Sequence, residues 1–226
     1  MQSLQWIFYF ISISPRNDYQ NIPPFQFLTN QRLLSPIIEP FQVFQIFTKL
    51  NPNKCKGFDY LPNRILKICS QSLATPFSLH FNSILSSEDY PTAWKTATMI
   101  SLLKTGSQTV VQNYRPIALL PSLSKVFEKL VHKYICNYLE HHKLLIPNNF
   151  GFRKKLSTLN SFVSTCHILY QAYDSNLSSR IVFLDMSNAF DRVDHTCFTS
   201  KFYSSVLLAL LNFLHMMSLS VLKSFL

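Results

Sequence analysis

Apolar and polar positions along this chain fall into several different rhythms, and each rhythm predicts an element. The clearest lies at residues 122–141, where Leu123, Val126, Phe127, Leu130, Val131, Tyr134, Ile135, Tyr138 and Leu139 recur at helical spacing. Residues 41–50 (FQVFQIFTKL) show a shorter version that Asn51-Pro52-Asn53 stops. A helix is predicted after Pro62 with Ile65, Leu66, Cys69 and Leu73 on one face, a kink or stop at Pro76, and a second helical segment at 77–86. Residues 94–104 (WKTATMISLLK) are rich in β-branched and apolar types and predict a strand, which Thr105-Gly106-Ser107 turns. Ser157 or Thr158 is placed to cap a helix whose apolar face is Leu159, Phe162, Val163, Cys166, Leu169 and Tyr173.

One stretch breaks from helical spacing altogether. Ile181, Val182, Phe183 and Leu184 run without a polar interruption into Asp185, which predicts a strand buried on both faces. Such a strand presents a carboxylate at its carboxyl end, where open α/β sheets place their chemistry. In order, the elements are helix, helix, strand, long helix, basic loop, helix, strand and short helix. The fold class is therefore α/β or α+β, without internal repeats.

The two ends read differently from this body. Residues 1–15 hold a short apolar stretch, WIFYFISI, without the basic start or cleavage site of a signal peptide, and residues 17–31 are polar with two prolines. The predicted division is an amino-terminal arm at 1–40, a folded body at 41–202 and an apolar tail at 203–226. Residues 206–226 are nearly continuous apolar sequence, with His215 and Lys223 as the ionisable interruptions. A membrane-contacting tail and a helix awaiting a covering domain are both open for it.

Composition narrows the choice of partner. The 226 residues carry 21 Lys+Arg against 11 Asp+Glu, a formal net charge of +10, so the long-range field favours polyanions such as nucleic acid or an anionic membrane surface. At 47% hydrophobic residues the chain can bury a core and is not of the disordered class. Its cysteines, Cys55, Cys69, Cys136, Cys166 and Cys197, are far apart and form no C-x-x-C or Cys/His set, which argues against zinc and for reduced thiols in an intracellular protein, nuclear or cytoplasmic. Lys125, Lys129 and Lys133 share one face of the long helix, and a solvated lysine face is the commoner explanation for such a line. Arg153, Lys154 and Lys155 stand together beside Gly151 in a basic loop.

Taken together, these segments resemble a known family. The sequence IVFLDMSNAFDRVDH at 181–195 is similar to the first catalytic motif of reverse transcriptases from retrotransposons lacking long terminal repeats, typically F-L-D-L-S-K-A-F-D-x-V-D-H. Upstream and in the same order lie KGFD from Lys56 with LPNRILK after it, WKTA from Trp94, NYRPIALL from Asn113, SKVFEKLVHK from Ser124 and LLIPNNFGFRKKLST from Leu144. The resemblance covers roughly residues 41–201. Gly57, Gly106 and Gly151, all the glycines of the chain, sit in matching motif positions.

The resemblance implies a right-hand polymerase fold of which this chain holds the fingers and part of the palm, without the second half of the palm and the thumb. It implies an RNA-directed DNA polymerase with an RNA template, a DNA primer and Mg2+, two cations serving to activate the primer hydroxyl and neutralise the leaving pyrophosphate. By the same resemblance Asp185 is the catalytic, metal-binding aspartate, and the backbone carbonyl of Met186 is a further ligand. Phe190 matches the aromatic gate beside the sugar, while Asp191 and Asp194 read as turn and helix-start residues. Arg115 matches the arginine that contacts the incoming triphosphate, as a guanidinium suits, and Lys104 is similar to the basic residue on the preceding strand. Arg153, Lys154 and Lys155 correspond to a segment lying along template and primer.

Three departures accompany the match. The family's S-P-G-P-D-G is Cys55-Lys56-Gly57-Phe58-Asp59-Tyr60 here, which predicts altered turn geometry. Its K-G-R-S-T is Lys154-Lys155-Leu156-Ser157-Thr158. Beyond residue 202 there is no P-Q-G motif and no carboxylate, so the paired aspartates that complete two-metal chemistry are not in this sequence. The expectation is a truncated or frame-shifted reverse transcriptase fragment, inactive alone. A non-catalytic nucleic-acid-binding module and a decayed product without function are the alternatives.

Overall fold

A computed structural model describes Leu33 and residues 35–54 and 56–185. It is a helical body with one small sheet. Helix α1 spans Pro40–Thr48, α2 Asn63–Ile68, α3 Ser70–Ser87, α4 Ser122–His141 and α5 Thr158–Asp174, while strands β1 (Thr98–Leu103) and β2 (Tyr114–Leu119) form an antiparallel pair. Mixed helix and sheet agrees with the predicted α/β class. Among the described residues no helix is long and apolar enough to cross a membrane.

The core forms where α1, α3 and α4 meet. Val43 and Phe47 come from α1, Phe81, Ile84 and Leu85 from α3, and Val126, Phe127, Leu130, Val131 and Ile135 from α4, all buried. Tyr90 and Trp94, on the connection from α3 to β1, complete an aromatic cluster: Phe81 and Phe127 lie 5.1 Å apart between ring centroids, Tyr90 and Trp94 5.7 Å, and Trp94 and Phe127 5.8 Å. Tilted and edge-on rings at such separations attract through their quadrupoles in addition to the area they bury. The whole predicted apolar face of α4 is inside this core or packed against it.

The segment before α1 is tied to α3 by hydrogen bonds. The Ile38 N–H donates to Asn82 Oδ1 at 2.8 Å, and the Ile38 carbonyl accepts from Asn82 Nδ2 at 2.9 Å and Ser78 Oγ at 2.6 Å. One asparagine thereby satisfies both backbone groups of a buried residue, as a neighbouring strand would. Leu33 and Ile38 join the core through this attachment.

The helical break after Pro62 is not where the sequence predicts it. Helix α3 runs through Pro76, and the joint with α2 falls at Cys69, whose φ of −89° and ψ of 15° leave the helical basin. Pro76 is exposed, as is Ser72, whose carbonyl loses its helical partner to the proline ring, so water can satisfy that carbonyl. The joint also turns the buried face: Leu66 and Asn63 point inward, and Ile65 and Cys69 are exposed.

The predicted strand at 94–104 begins later, at Thr98, because residues 92–95 make a 3-10 turn that seats Trp94 in the core. In the pairing with β2, Leu103 stands opposite Tyr114, Leu102 opposite Arg115 and Ser101 opposite Pro116. The Lys104 N–H continues the ladder to the Asn113 carbonyl at 2.7 Å. Counting back by the antiparallel alternation, Pro116 falls in a non-hydrogen-bonded pair, where its missing N–H costs no ladder bond.

Two apolar segments remain uncovered. Helix α5 forms as predicted, with Ser157 at its cap, but none of its residues is buried. Residues 181–185 form no strand, and Val182, Phe183 and Leu184 are 78%, 88% and 90% exposed, which overturns the expectation of a strand buried on both faces. A strand needs a neighbour to complete its hydrogen bonds and a layer to cover each face, and among the described residues the only sheet is the β1–β2 pair.

Candidate functional site

The β1–β2 hairpin gathers the first predicted cations. Arg115 lies directly across from Leu102, and Lys104 is two positions beyond Leu102, so the alternation of the strands puts Lys104 and Arg115 on one face as diagonal neighbours. Both side chains are exposed, and the same face carries the exposed Ile100, Leu102 and Ile117. Two cations at the tip of an apolar strip make a surface that can meet a polyphosphate at one end and a flat, apolar group along the other.

The loop between the strands is held by the residues flanking Arg115. Asn113 Nδ2 donates to the Ser107 carbonyl at 2.9 Å, and the Tyr114 hydroxyl donates to the Gln108 carbonyl at 3.0 Å. Gly106 turns the chain with φ of +86°, and a Cβ there would lie 2.7 Å from Asn113 Nδ2. The asparagine and tyrosine of the NYRP motif therefore work as struts that fix the loop below the arginine. Sequence reasoning did not single them out, although their place in the motif was visible.

Behind the hairpin, the loop carrying Gly57 presses against the end of β2. A Cβ on Gly57 would sit 2.6 Å from the Pro121 nitrogen and 2.7 Å from the Leu120 carbonyl carbon and oxygen, so only glycine allows this backbone approach. Ser122 Oγ donates to the Leu61 carbonyl at 3.4 Å across the same contact. Tyr60, which stands where the family has its second glycine, has φ of 54°. A tyrosine thus occupies a left-handed position in this turn.

The predicted nucleic-acid-binding cations lie on the loop between α4 and α5. Lys154 and Lys155 are exposed, whereas Arg153 is half-buried, with Nη1 donating to the Ile146 carbonyl at 3.4 Å and Nε enclosed without a hydrogen-bond partner among the described residues. Lys155 has φ of 65°, again at a position where the family pattern has glycine. The loop ends in the Ser157 cap, whose N–H and hydroxyl both donate to Asn160 Oδ1, at 2.9 and 2.8 Å.

Asp185 is exposed and is the last described residue. Met186 and Phe190, together with Asp191 and Asp194, lie outside the described residues. Among the described residues no three His, Cys, Asp or Glu side chains converge as a metal site. Among the described residues Asp185 is the one carboxylate of its motif, and a two-metal centre needs more oxygen donors than it supplies.

A buried polar cluster behind the site escaped sequence reasoning. Tyr90 Oη lies 2.8 Å from Ser124 Oγ and donates to Glu128 Oε1 at 3.1 Å, and Ser124 Oγ donates to the same carboxylate oxygen at 2.6 Å. Burial pushes the Glu128 carboxyl above the usual carboxylate range, against the opposing pull of its bonds to Ser124 and Tyr90 and of the Lys125 charge. Burial, and then the Glu128 charge, push the Tyr90 phenol well up. The cluster joins α4 to the segment that leads into β1. Its sequence signal was faint: Ser124 and Glu128 are four apart, and Glu128 interrupts the apolar face of α4.

The chain that carries this basic hairpin, backed by the Gly57 loop and followed by a second basic loop, is similar in sequence to known proteins. Residues 102–212 match the family described as reverse transcriptase (RNA-dependent DNA polymerase). The chain belongs to that family, in the branch carried by retrotransposons without long terminal repeats. It is 34% identical over 158 residues, 70% of its length, to a probable RNA-directed DNA polymerase from transposon X-element of Drosophila melanogaster. It is 34% identical over 155 residues, 68% of its length, to the RNA-directed DNA polymerase from mobile element jockey of the same species, and 32% identical over 168 residues, 73% of its length, to the probable polymerase from transposon BS. The matched parts are 17%, 17% and 18% of those relatives, so the chain spans a small part of the proteins it resembles.

Proposed function

We propose that this chain is the fingers and partial palm of a retrotransposon reverse transcriptase, at residues 41–202, with an arm at 1–40 and a divergent tail at 203–226. The reaction of the parent enzyme is transfer of a deoxynucleotide to a primer 3′-hydroxyl under the direction of an RNA template. The observation that carries this reading is the shared exposed face of Lys104 and Arg115, built by the struts Asn113 and Tyr114 within a run of collinear family motifs. On that face the Arg115 guanidinium suits an incoming triphosphate, with Lys104 beside it. Arg153, Lys154 and Lys155 take the phosphates of template and primer, and their contribution weakens as salt is added. Asp185, the Met186 carbonyl and Phe190 take the metal and sugar roles that the motif implies, with Mg2+ supplying charge neutralisation when bound. The setting of this activity is intracellular.

The chain alone is proposed to be inactive, because one motif aspartate does not make a two-metal site. Primer extension on the purified chain with an RNA template, a DNA primer and Mg2+ is the direct assay. Template-dependent synthesis at rates typical of polymerases would overturn the inactivity. A non-catalytic nucleic-acid-binding module is the second reading, favoured by the exposure of Lys104, Arg115, Lys154 and Lys155. Salt-sensitive RNA binding without synthesis distinguishes it from a product with no function.

A further inference from the structure

Helix α4 carries a basic surface that none of the polymerase roles uses. Lys125, Lys129 and Lys133 are exposed along one line of the helix. At a rise of about 1.5 Å per residue, positions four apart step about 6 Å along the axis, so the line spans about 12 Å. Like charges at this spacing repel, and each such pair weakens a helix. Neither Lys129 nor Lys133 has an acidic residue three or four positions away in either direction. Glu128, three positions from Lys125 and within reach of its charge, is hydrogen-bonded to Ser124 and Tyr90 on the inner side of the helix. The opposite side of the helix is occupied by Val126, Phe127, Leu130, Val131 and Ile135, so the core is built without the lysines. Three exposed cations in one line, of which Lys129 and Lys133 have no acidic residue at helical spacing, form a surface that can meet an external anion.

We propose that Lys125, Lys129 and Lys133 form a rail for the phosphates of single-stranded nucleic acid, additional to the hairpin tip and to the loop at 153–155. The class of ligand rests on the reverse transcriptase reading; the rail itself rests on the geometry of α4. Evenly stepped point charges in one line suit the backbone of a single strand. Ammonium groups on flexible stems read charge and not base edges, so binding here is independent of sequence.

The test is fluorescence anisotropy of the full chain with a labelled 20-nucleotide oligouridylate across a series of KCl concentrations. For single strands the salt slope falls by about 0.7 for each phosphate that is no longer neutralised, so replacing all three lysines by Gln should reduce its magnitude by about 2. The triple Lys→Arg variant should keep the wild-type slope. A companion variant with Arg153→Ala and Lys155→Ala reports on the loop separately. A wild-type slope in the glutamine variant, beside a reduced slope in the loop variant, overturns the rail and leaves the reverse transcriptase reading intact. Failure of the wild-type chain to bind at low salt overturns both. Glutamine is a good helix former and relieves the repulsion, so the variant should melt no lower than wild type. Should the triple variant unfold, Lys129→Gln alone decides the question, with a slope reduced by about 0.7 for the rail and an unchanged slope against it.

Discussion

Tyr60 is an exposed tyrosine in a backbone conformation that glycine favours, and exchanging it for glycine should stabilise the protein. Its φ is 54°, it is 79% exposed, and its N–H donates to the Gly57 carbonyl at 3.1 Å, a bond that any residue with an N–H can make. An L-residue in the left-handed region costs roughly 1–2 kcal/mol through crowding of Cβ against the carbonyl oxygen. Glycine removes that cost but gives the unfolded chain more freedom, worth roughly 0.5–1 kcal/mol in the opposite direction. The side chain is largely in water, so little buried area is lost. The net for Tyr60→Gly is a gain of about 0.5–1 kcal/mol, or about 1–4 °C in Tm for a chain of this size. Urea unfolding followed by circular dichroism measures it, as a higher midpoint at unchanged slope. A lower midpoint would show that the tyrosine ring stabilises the turn by more than its backbone strain costs, and would overturn the expectation.

Neighbouring contacts give four more expectations. Gly57→Ala should destabilise strongly, opposite in sign to the change three residues later, because its Cβ would meet the Pro121 nitrogen at 2.6 Å and backbone cannot move aside cheaply; the same urea titration reports it. Lys155→Gly should raise the midpoint, since φ there is 65°, while lowering the magnitude of the salt slope of RNA binding by about 0.7, so stability and binding part company. Phe127→Ala, at the centre of the aromatic cluster, should cost about 3–5 kcal/mol in equilibrium unfolding, and a loss under about 1 kcal/mol would contradict the packing described. For Glu128 the folded carboxyl titrates above its ordinary value of 4.5, so its stabilising contribution is whole below that pH and is lost as pH rises through the folded value. Glu128→Gln stays neutral, so its stability relative to wild type should climb with pH above about 4.5, and a flat difference between about pH 4 and 8 would contradict the raised value.

Much of the fold and part of the site were legible from the chain. The helix Ser122–His141 matches its predicted bounds, and the Ser157 cap lies where the apolar rhythm begins, because side-chain periodicity and capping are local properties. Collinear motifs also placed the chain in its family and singled out Lys104 and Arg115 as candidates, which the structure sets on one exposed face. The sequence could not place the joint at Cys69, since Pro76 is tolerated only because its turn of helix faces water. Nor could it join Tyr90 to Glu128, 38 positions away, because a buried hydrogen bond leaves no periodic trace.

The run from Ile181 to Leu184 shows the boundary between the two kinds of determination. Its apolar character belongs to the sequence alone and states what the segment could bury. Whether it becomes a strand depends on a neighbouring ladder and a covering layer, which are properties of tertiary structure. Among the described residues neither is supplied, and the four side chains stand in solvent. Lys104 and Arg115 illustrate the converse. The chain determined two cations eleven positions apart, and only the antiparallel register, with Arg115 opposite Leu102, placed them on one face.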